Sequence, residues 1–264
     1  MMLAGFIAAI FIGISLGLIG GGGSILTVPV LVYLFSIDPV MATAYSLFIV
    51  GITSVVGSVN YLKKGLVNMR TAIVFGLPSI ISVFITRAYI VPAIPDEVFT
   101  IGSLVITKPL LFMSLFAILM VFASFSMIKK DKKKEIQVTQ KQQFNYPLIL
   151  VEGLIVGLLT GLVGAGGGFL IIPALVILSK LPMKEAVGTS LVIIAAKSLI
   201  GFAGEDFNGA IDWTFLLSIS AFAILGIILG TLLTKRIDGE KLKPAFGWFV
   251  LVMGIYVLIK EFFL

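Results

Sequence analysis

Histidine and cysteine are absent from the 264 residues, and charged side chains make up only 12% of them. Without imidazole or thiolate, the chain can build no disulfide, no cysteine-ligated cluster, no Cys/His zinc site and no histidine proton relay. The shortage of charge excludes a water-facing globular surface, which draws about a quarter of its residues from Asp, Glu, Lys and Arg. In their place stand 59% hydrophobic residues and a mean hydropathy of +1.18, a composition suited to a bilayer. No cofactor and no metal are expected. The N-terminal stretch Met1-Met2-Leu3-Ala4-Gly5-Phe6 lacks a basic n-region, and its apolar run ends in glycines rather than a cleavage site. It reads as a first membrane segment retained in the mature protein.

Hydrophobic runs fall into two sets of five, separated by the polar stretch Lys129-Lys130-Asp131-Lys132-Lys133-Lys134-Glu135 and its Gln-rich continuation. That stretch reads as a solvated linker. Sliding the chain by 144 positions superposes Gly13 on Gly157, Gly17 on Gly161, Gly20 on Gly164, Gly22 and Gly23 on Gly166 and Gly167, and Pro29 on Pro173. The same offset carries Ala42 onto Ala186, Ser46-Leu47 onto Ser190-Leu191, Ser54 onto Ser198, Gly57 onto Gly201 and Gly65 onto Gly209 without a gap. A constant register of this length points to an internal duplication.

Short cytoplasmic loops are enriched in Lys and Arg, so the basic residues report how the two copies are oriented. If each half crosses an odd number of times, the linker, the loop at 61–70, the turn near Lys180 and Lys184 and the segment at 234–243 share one side and together carry fifteen basic residues. The opposite loops then hold Asp38, Asp96, Glu97, Lys108, Glu205, Asp206 and Asp212, with Lys108 their one basic residue. An even number of crossings would divide the charges almost equally. The count selects inverted copies, with Lys63-Lys64 and their counterparts Phe207-Asn208 on opposite faces. Arg87, near the outer face, reads as an interfacial anchor in preference to a gate.

Residues 19–31 and 163–175 break these apolar runs with Gly20-Gly21-Gly22-Gly23 and with Gly164-Ala165-Gly166-Gly167-Gly168. Adjacent glycines are expected to unwind the helix. The residues from Ser24 to Phe35 would then reach about 18 Å, short of a hydrocarbon core of roughly 30 Å. Irregular backbone survives at membrane depth where protein buries it or where it lines a polar cavity. A helix restarting after such a break offers free N–H groups and the positive end of its dipole, so two breaks converging near the midplane could hold one anion. The plainer alternative is that the glycines serve close helix packing.

With these motifs in view, the chain resembles the TauE/SafE (sulfite exporter) family of membrane permeases. The repeated Gly-x-Gly-Gly-Gly-x-x-x-x-Pro-x-Leu pattern is matched by Gly164 to Leu175 and closely by Gly20 to Leu31, and an Ala-x-x-Thr-Ser-Leu element by Ala186 to Leu191. The resemblance implies transport of sulfur-containing anions such as sulfite or organosulfonates. The first copy departs from the pattern at Ala42-Thr43-Ala44-Tyr45-Ser46-Leu47, where Tyr45 stands opposite Thr189 and makes the site asymmetric.

The candidate substrate-binding residues are Gly21, Gly22, Gly23, Ser24, Thr43, Tyr45, Ser46, Gly166, Gly167, Gly168, Thr189, Ser190 and Lys197. Lys197 replaces Thr53 of the first copy deep in an apolar run, where an amine costs about 2.5 to 3.5 kcal/mol and calls for a cavity or counter-charge. The hydroxyls could donate to an oxyanion, or cap helices. Glu152, where the first copy has Ala8, is the candidate carrier of a coupling proton. The expected fold is an all-α polytopic membrane protein of two inverted-topology repeats, each a glycine-broken re-entrant or hairpin unit plus three longer transmembrane helices. The first repeat covers 1–128, the cytoplasmic basic linker 129–146 and the second repeat 147–264. The expected activity is alternating-access secondary transport of a small anion, coupled to a proton or another cation, in the cell membrane. No nucleic-acid partner is expected; an anion channel and an integral-membrane enzyme are the competing readings.

Overall fold

A computed structural model describes residues 2–101, 104–128, 146–177, 181–205, 211–233 and 239–263. The linker over 129–145, Lys180, Asp206, Phe207-Asn208, Gly209, Lys235 and Arg236 lie outside the described residues.

Helix α1 (Met2–Ile19) leads through a 3₁₀ turn (Gly21–Leu26) into α2 (Thr27–Phe35) and then α3 (Pro39–Lys63). Helix α4 (Met69–Ile85) continues through a π-helical turn (Thr86–Ile90) into the short α5 (Val91–Ala93). Strands β1 (Glu97–Ile101) and β2 (Leu104–Thr107) form an antiparallel hairpin before α6 (Lys108–Ile128). The second half comprises α7 (Tyr146–Val163), α8 (Gly168–Ile177), α9 (Met183–Ala203), α10 (Trp213–Leu233) and α11 (Gly239–Phe263).

Local chemistry sets the helix starts. Asp38 Oδ1 accepts from the amides of Val40 at 2.9 Å and Met41 at 3.2 Å, with Pro39 in the first helical position of α3. Asn68 Oδ1 accepts from Thr71 N at 3.0 Å to start α4, and Asp212 Oδ1 accepts from Phe215 N at 3.0 Å to start α10. Among the described residues, α3, α4 with its extension to Ala93, α6, α9 and α10 are long and apolar enough to cross a membrane. Their outer faces carry exposed aliphatic and aromatic side chains, among them Ile73, Leu77 and Ile81 on α4 and Leu217, Leu225 and Leu229 on α10. Apolar surface on that scale is stable against lipid, not water. The protein is an all-α polytopic membrane protein with one small hairpin.

Glycines bring the helices together. Gly13 and Gly17 of α1 meet Gly226 and Gly230 of α10 backbone to backbone, the two helices running parallel. Gly153, Gly157 and Gly161 of α7 meet Phe75, Ser79 and Thr86 along α4 in the same parallel sense. Gly51 and Gly57 of α3 face Leu199 and Leu191 of α9, while Gly201 of α9 faces Leu47, so α3 and α9 run antiparallel. Gly247 lies against Met127 and Gly254 against Met120, making α6 and α11 antiparallel too. Under the 144-residue offset, the α1–α10 contact becomes the α7–α4 contact, and α3–α10 becomes α9–α4.

Two features differ from the sequence-based reading. The first glycine run is not unwound throughout: Gly20 alone takes positive φ (75°) and Gly21–Leu26 winds as a 3₁₀ turn, the tighter helix that a chain without β-carbons tolerates. The hairpin at 97–107 was also missed, although its β-branched strands on either side of Gly102-Ser103 are a hairpin pattern. The first glycine-broken unit folds back on itself: Gly23 packs on Ser15 and Leu16, and Gly5 on the Phe35 ring, so α2 returns along α1.

Candidate functional site

The two glycine breaks meet each other. A Cβ on Gly21 would collide with Cα of Gly168, and one on Gly168 with Gly21, so the N-terminal ends of the 3₁₀–α2 segment and of α8 touch through bare backbone. Gly21 also lies against Ile194, and Gly166 against Val50, Ile194 and Ser198; Val50 and Ile194 lie halfway along α3 and α9. Gly20 is walled by Ile172 and Val187, and Gly164 by Thr43, positions related by the same offset. The second break needs glycine most, because Gly164, Gly166 and Gly167 have φ of 73°, 63° and 69°, the left-handed region in which a β-carbon is strained.

Lys197 closes the second break. Its side chain is fully buried, and Nζ donates to Thr160 Oγ1 at 3.0 Å. A Cβ on Gly167 would fall 2.6 Å from that Nζ, so the ammonium lies directly against the turn. Among the described residues the one ion pair is Arg87–Glu205, which leaves Lys197 without a carboxylate. Ser198 Oγ is buried without a partner and would lie 3.4 Å from a Cβ on Gly166. Its counterpart Ser54 is also buried and unpartnered, as are Ser46 and Thr27.

The hydroxyls of the other candidate residues are engaged. Ser24 donates to Gly21 O at 2.7 Å, Thr43 to Val40 O at 2.7 Å and Ser190 to Val187 O at 2.8 Å. Tyr45 Oη accepts from Asp212 N at 2.8 Å, beside a cavity of about 440 Å³ between Phe35, Met41, Asp212 and Phe215. Thr189 Oγ1 accepts from Asn68 N at 2.9 Å, tying α9 to the start of α4. Gly22 lies inside the 3₁₀ turn with Gly21 and Gly23. Glu152 is half-buried on α7, eight residues before Thr160 and so about 12 Å from the Lys197 contact. The structure therefore gathers Gly21, Gly166, Gly167, Gly168 and Lys197 at one junction and keeps Glu152 apart. Thr160, Ser54 and Ser198 were missed as site residues, although the Ser54/Ser198 match was visible in the repeat.

Arg87 is no interfacial anchor. It is fully buried, and Nη1 donates to Glu205 Oε2 at 3.0 Å. No cluster of His, Cys, Asp and Glu able to hold a metal occurs among the described residues.

A family model described as sulfite exporter TauE/SafE matches residues 5–257. The chain belongs to that family. It is 29% identical to a probable membrane transporter protein of Xylella fastidiosa, over 95% of this chain and 92% of that one. Similarity extends to YunE of Bacillus subtilis, 25% identical over 98% of this chain and 99% of the relative, and to a protein of Methanocaldococcus jannaschii, 28% identical over 98% and 94%. Both of these are also named probable membrane transporter proteins. No solved structure matches the chain. As a member of the TauE/SafE family with these lipid-facing helices, the protein is a multi-pass membrane transporter whose solutes are small molecules.

What the junction offers chemically is buried positive potential. The positive ends of two helix dipoles, the Lys197 ammonium and the unpartnered Ser198 hydroxyl meet in a low-dielectric interior, an arrangement that favours a negative guest.

Proposed function

We propose that the protein is a secondary carrier for small sulfur-containing oxyanions such as sulfite or organosulfonates. The anion binds where Gly21–Ser24 meets Gly166–Gly168, against Lys197. The observation that carries this reading is the contact of Gly21 with Gly168 beside a fully buried ammonium that has a threonine, and no described carboxylate, for company. A buried cation of this kind is costly unless an anion visits it. Ser198 adds a hydroxyl donor with Ser54 as its counterpart in the first repeat, and Thr43 packs against Gly164, whereas Tyr45 and Thr189 are engaged by Asp212 N and Asn68 N away from the junction.

Transport proceeds by alternating access between two inverted repeats, 1–128 and 147–264, joined by a cytoplasmic linker at 129–146. The antiparallel run of α3 against α9, helices matched by the 144-residue offset, supports inversion, because an axis lying across two helices exchanges them antiparallel. Ile172, Val187, Val50 and Ile194 close around the junction, which favours an occluding carrier over a standing channel. Glu152 carries the coupling proton.

The test is counterflow in proteoliposomes loaded with sulfite, thiosulfate or an alkanesulfonate. Saturable exchange that accumulates labelled anion against its gradient is the expected result. Large unitary conductance in planar bilayers, or turnover of a substrate in detergent solution, overturns the carrier reading.

A further inference from the structure

Outside the junction, Arg87 is a buried cation that the transport reading leaves unused. It occupies the π-helical turn Thr86–Ile90, where α4 departs from its regular hydrogen bonding. Glu205 reaches it through Nη1 alone, at 3.0 Å, while Nε and Nη2 are buried with no acceptor. A guanidinium offers its donors as a rigid planar fork, and the Nε/Nη2 edge suits two oxygens of one carboxylate, sulfonate or sulfite. Left without acceptors away from water, that edge is a standing cost which an oxyanion would remove.

The position suits a role in the anion's path. Thr86, next to Arg87, packs on Gly161 of α7, with its Cβ 2.7 Å from where a Cβ on that glycine would be. The preceding residue of α7, Thr160, accepts the Lys197 hydrogen bond. Glu205 follows Lys197 by eight residues, a rise of about 12 Å along the line of α9. The offset converts Arg87 into Thr231 and Glu205 into Tyr61, both neutral, so this charged pair has no ionic counterpart in the other repeat.

We propose that Arg87 is a second oxyanion-binding residue, closed by Glu205, which an incoming anion displaces before passing to Lys197. The proposal rests on the carrier reading. Arg87 serves the face of the membrane that α4 reaches at its C-terminal end, and it acts on one side only.

The test uses full-length protein in sided proteoliposomes, with sulfite, thiosulfate or methanesulfonate supplied on the Arg87 side or on the other. Glu205→Gln, which removes the carboxylate that competes with the anion for the guanidinium, is expected to lower the KM on the Arg87 side by about threefold to tenfold; Arg87→Lys, which keeps charge but loses the fork, is expected to raise it about tenfold. The opposite-side KM stays unchanged in both. The exchanged pair, Arg87→Glu with Glu205→Arg, is expected to recover thermal stability without recovering the KM. Equal changes on both sides, or full recovery of transport in the exchanged pair, would show a structural ion pair and overturn the proposal. Wild-type protein that moves none of the three anions removes the carrier reading, and this inference with it.

Discussion

Replacing Lys197 with methionine separates a substrate ligand from a structural lysine, because the two roles predict opposite signs in two assays. The side chain is fully buried, and its hydrogen-bond partner is the hydroxyl of Thr160 at 3.0 Å. Thr160 donates its own hydrogen to Gly157 O at 3.2 Å, so removing the amine leaves only an acceptor lone pair unmet, a minor loss. Methionine fills nearly the same volume and abolishes the burial of an uncompensated ammonium, an effective penalty of several kcal/mol. Lys197→Met is therefore expected to hold or raise the stability of the unliganded protein, by up to about 2 kcal/mol, read as an unchanged or higher thermal midpoint. The same change removes a charge-assisted hydrogen bond to the anion worth about 1.5 to 3 kcal/mol, or roughly tenfold to a hundredfold in Kd. Thermal shift of detergent-solubilised protein with and without sulfite reads both quantities, and proteoliposome uptake reads the consequence. A variant that melts earlier yet keeps the wild-type sulfite shift and uptake would refute the reasoning and return Lys197 to a packing role.

Gly168→Ala inserts a methyl where Gly21 already sits; it is expected to cost about 1 to 3 kcal/mol of stability and most of the transport, and unchanged uptake at normal abundance would speak against the touching turns. Ser54→Ala and Ser198→Ala remove buried hydroxyls that have no partner, so stability is expected to hold or rise while the KM for the anion increases about threefold to tenfold, as measured by uptake kinetics. Glu152→Gln is expected to preserve anion-driven counterflow but abolish accumulation driven by a pH gradient; full pH-driven accumulation would free Glu152 from coupling. The chain has no cysteine, so a single Cys at Lys133 is expected to resist a membrane-impermeant thiol reagent in intact cells and to react once they are permeabilised, whereas labelling of intact cells would reverse the proposed orientation.

Much of the architecture is legible because lipid imposes so few solutions. Runs of apolar residues must become helices, and the repeat of Gly13, Gly17 and Gly20 at Gly157, Gly161 and Gly164 marks where those helices approach closely. The break at Gly20–Gly23 was legible as a break but not as a 3₁₀ turn, since glycine permits many backbones and its neighbours choose among them. Lys197 stood out because one amine in an apolar run is conspicuous. Its partner Thr160 did not, because a lone threonine in a helix ordinarily bonds its own backbone and nothing in sequence shows that α9 will lay an ammonium beside it. Arg87 was misread for the same reason. Near a helix end it resembled an anchor, and only the fold brings Glu205, 118 positions away, to its guanidinium.

The two halves agree in packing and differ in chemistry, and that combination bears on mechanism. Packing of the helices around the junction follows the offset: α1 holds α10 as α7 holds α4, and Gly20 meets Val187 as Gly164 meets Thr43. Ser46 and Ser54 recur as Ser190 and Ser198, but the charged and aromatic polar residues do not follow it, since Lys197 answers to Thr53, Tyr45 to Thr189, Arg87 to Thr231 and Glu205 to Tyr61. A carrier that rocks between two faces needs the first property, because each closed gate must be about as stable as the other for both to be populated. It does not need the second. On the proposed carrier reading, one ammonium at the junction would serve an anion arriving from either face, whereas a matching lysine in the first repeat would bury two like charges side by side and hold the anion too tightly to release it. Introducing Thr53→Lys is therefore expected to strengthen sulfite binding in thermal shift while slowing exchange in proteoliposomes. Faster exchange with unchanged binding would contradict a single shared site.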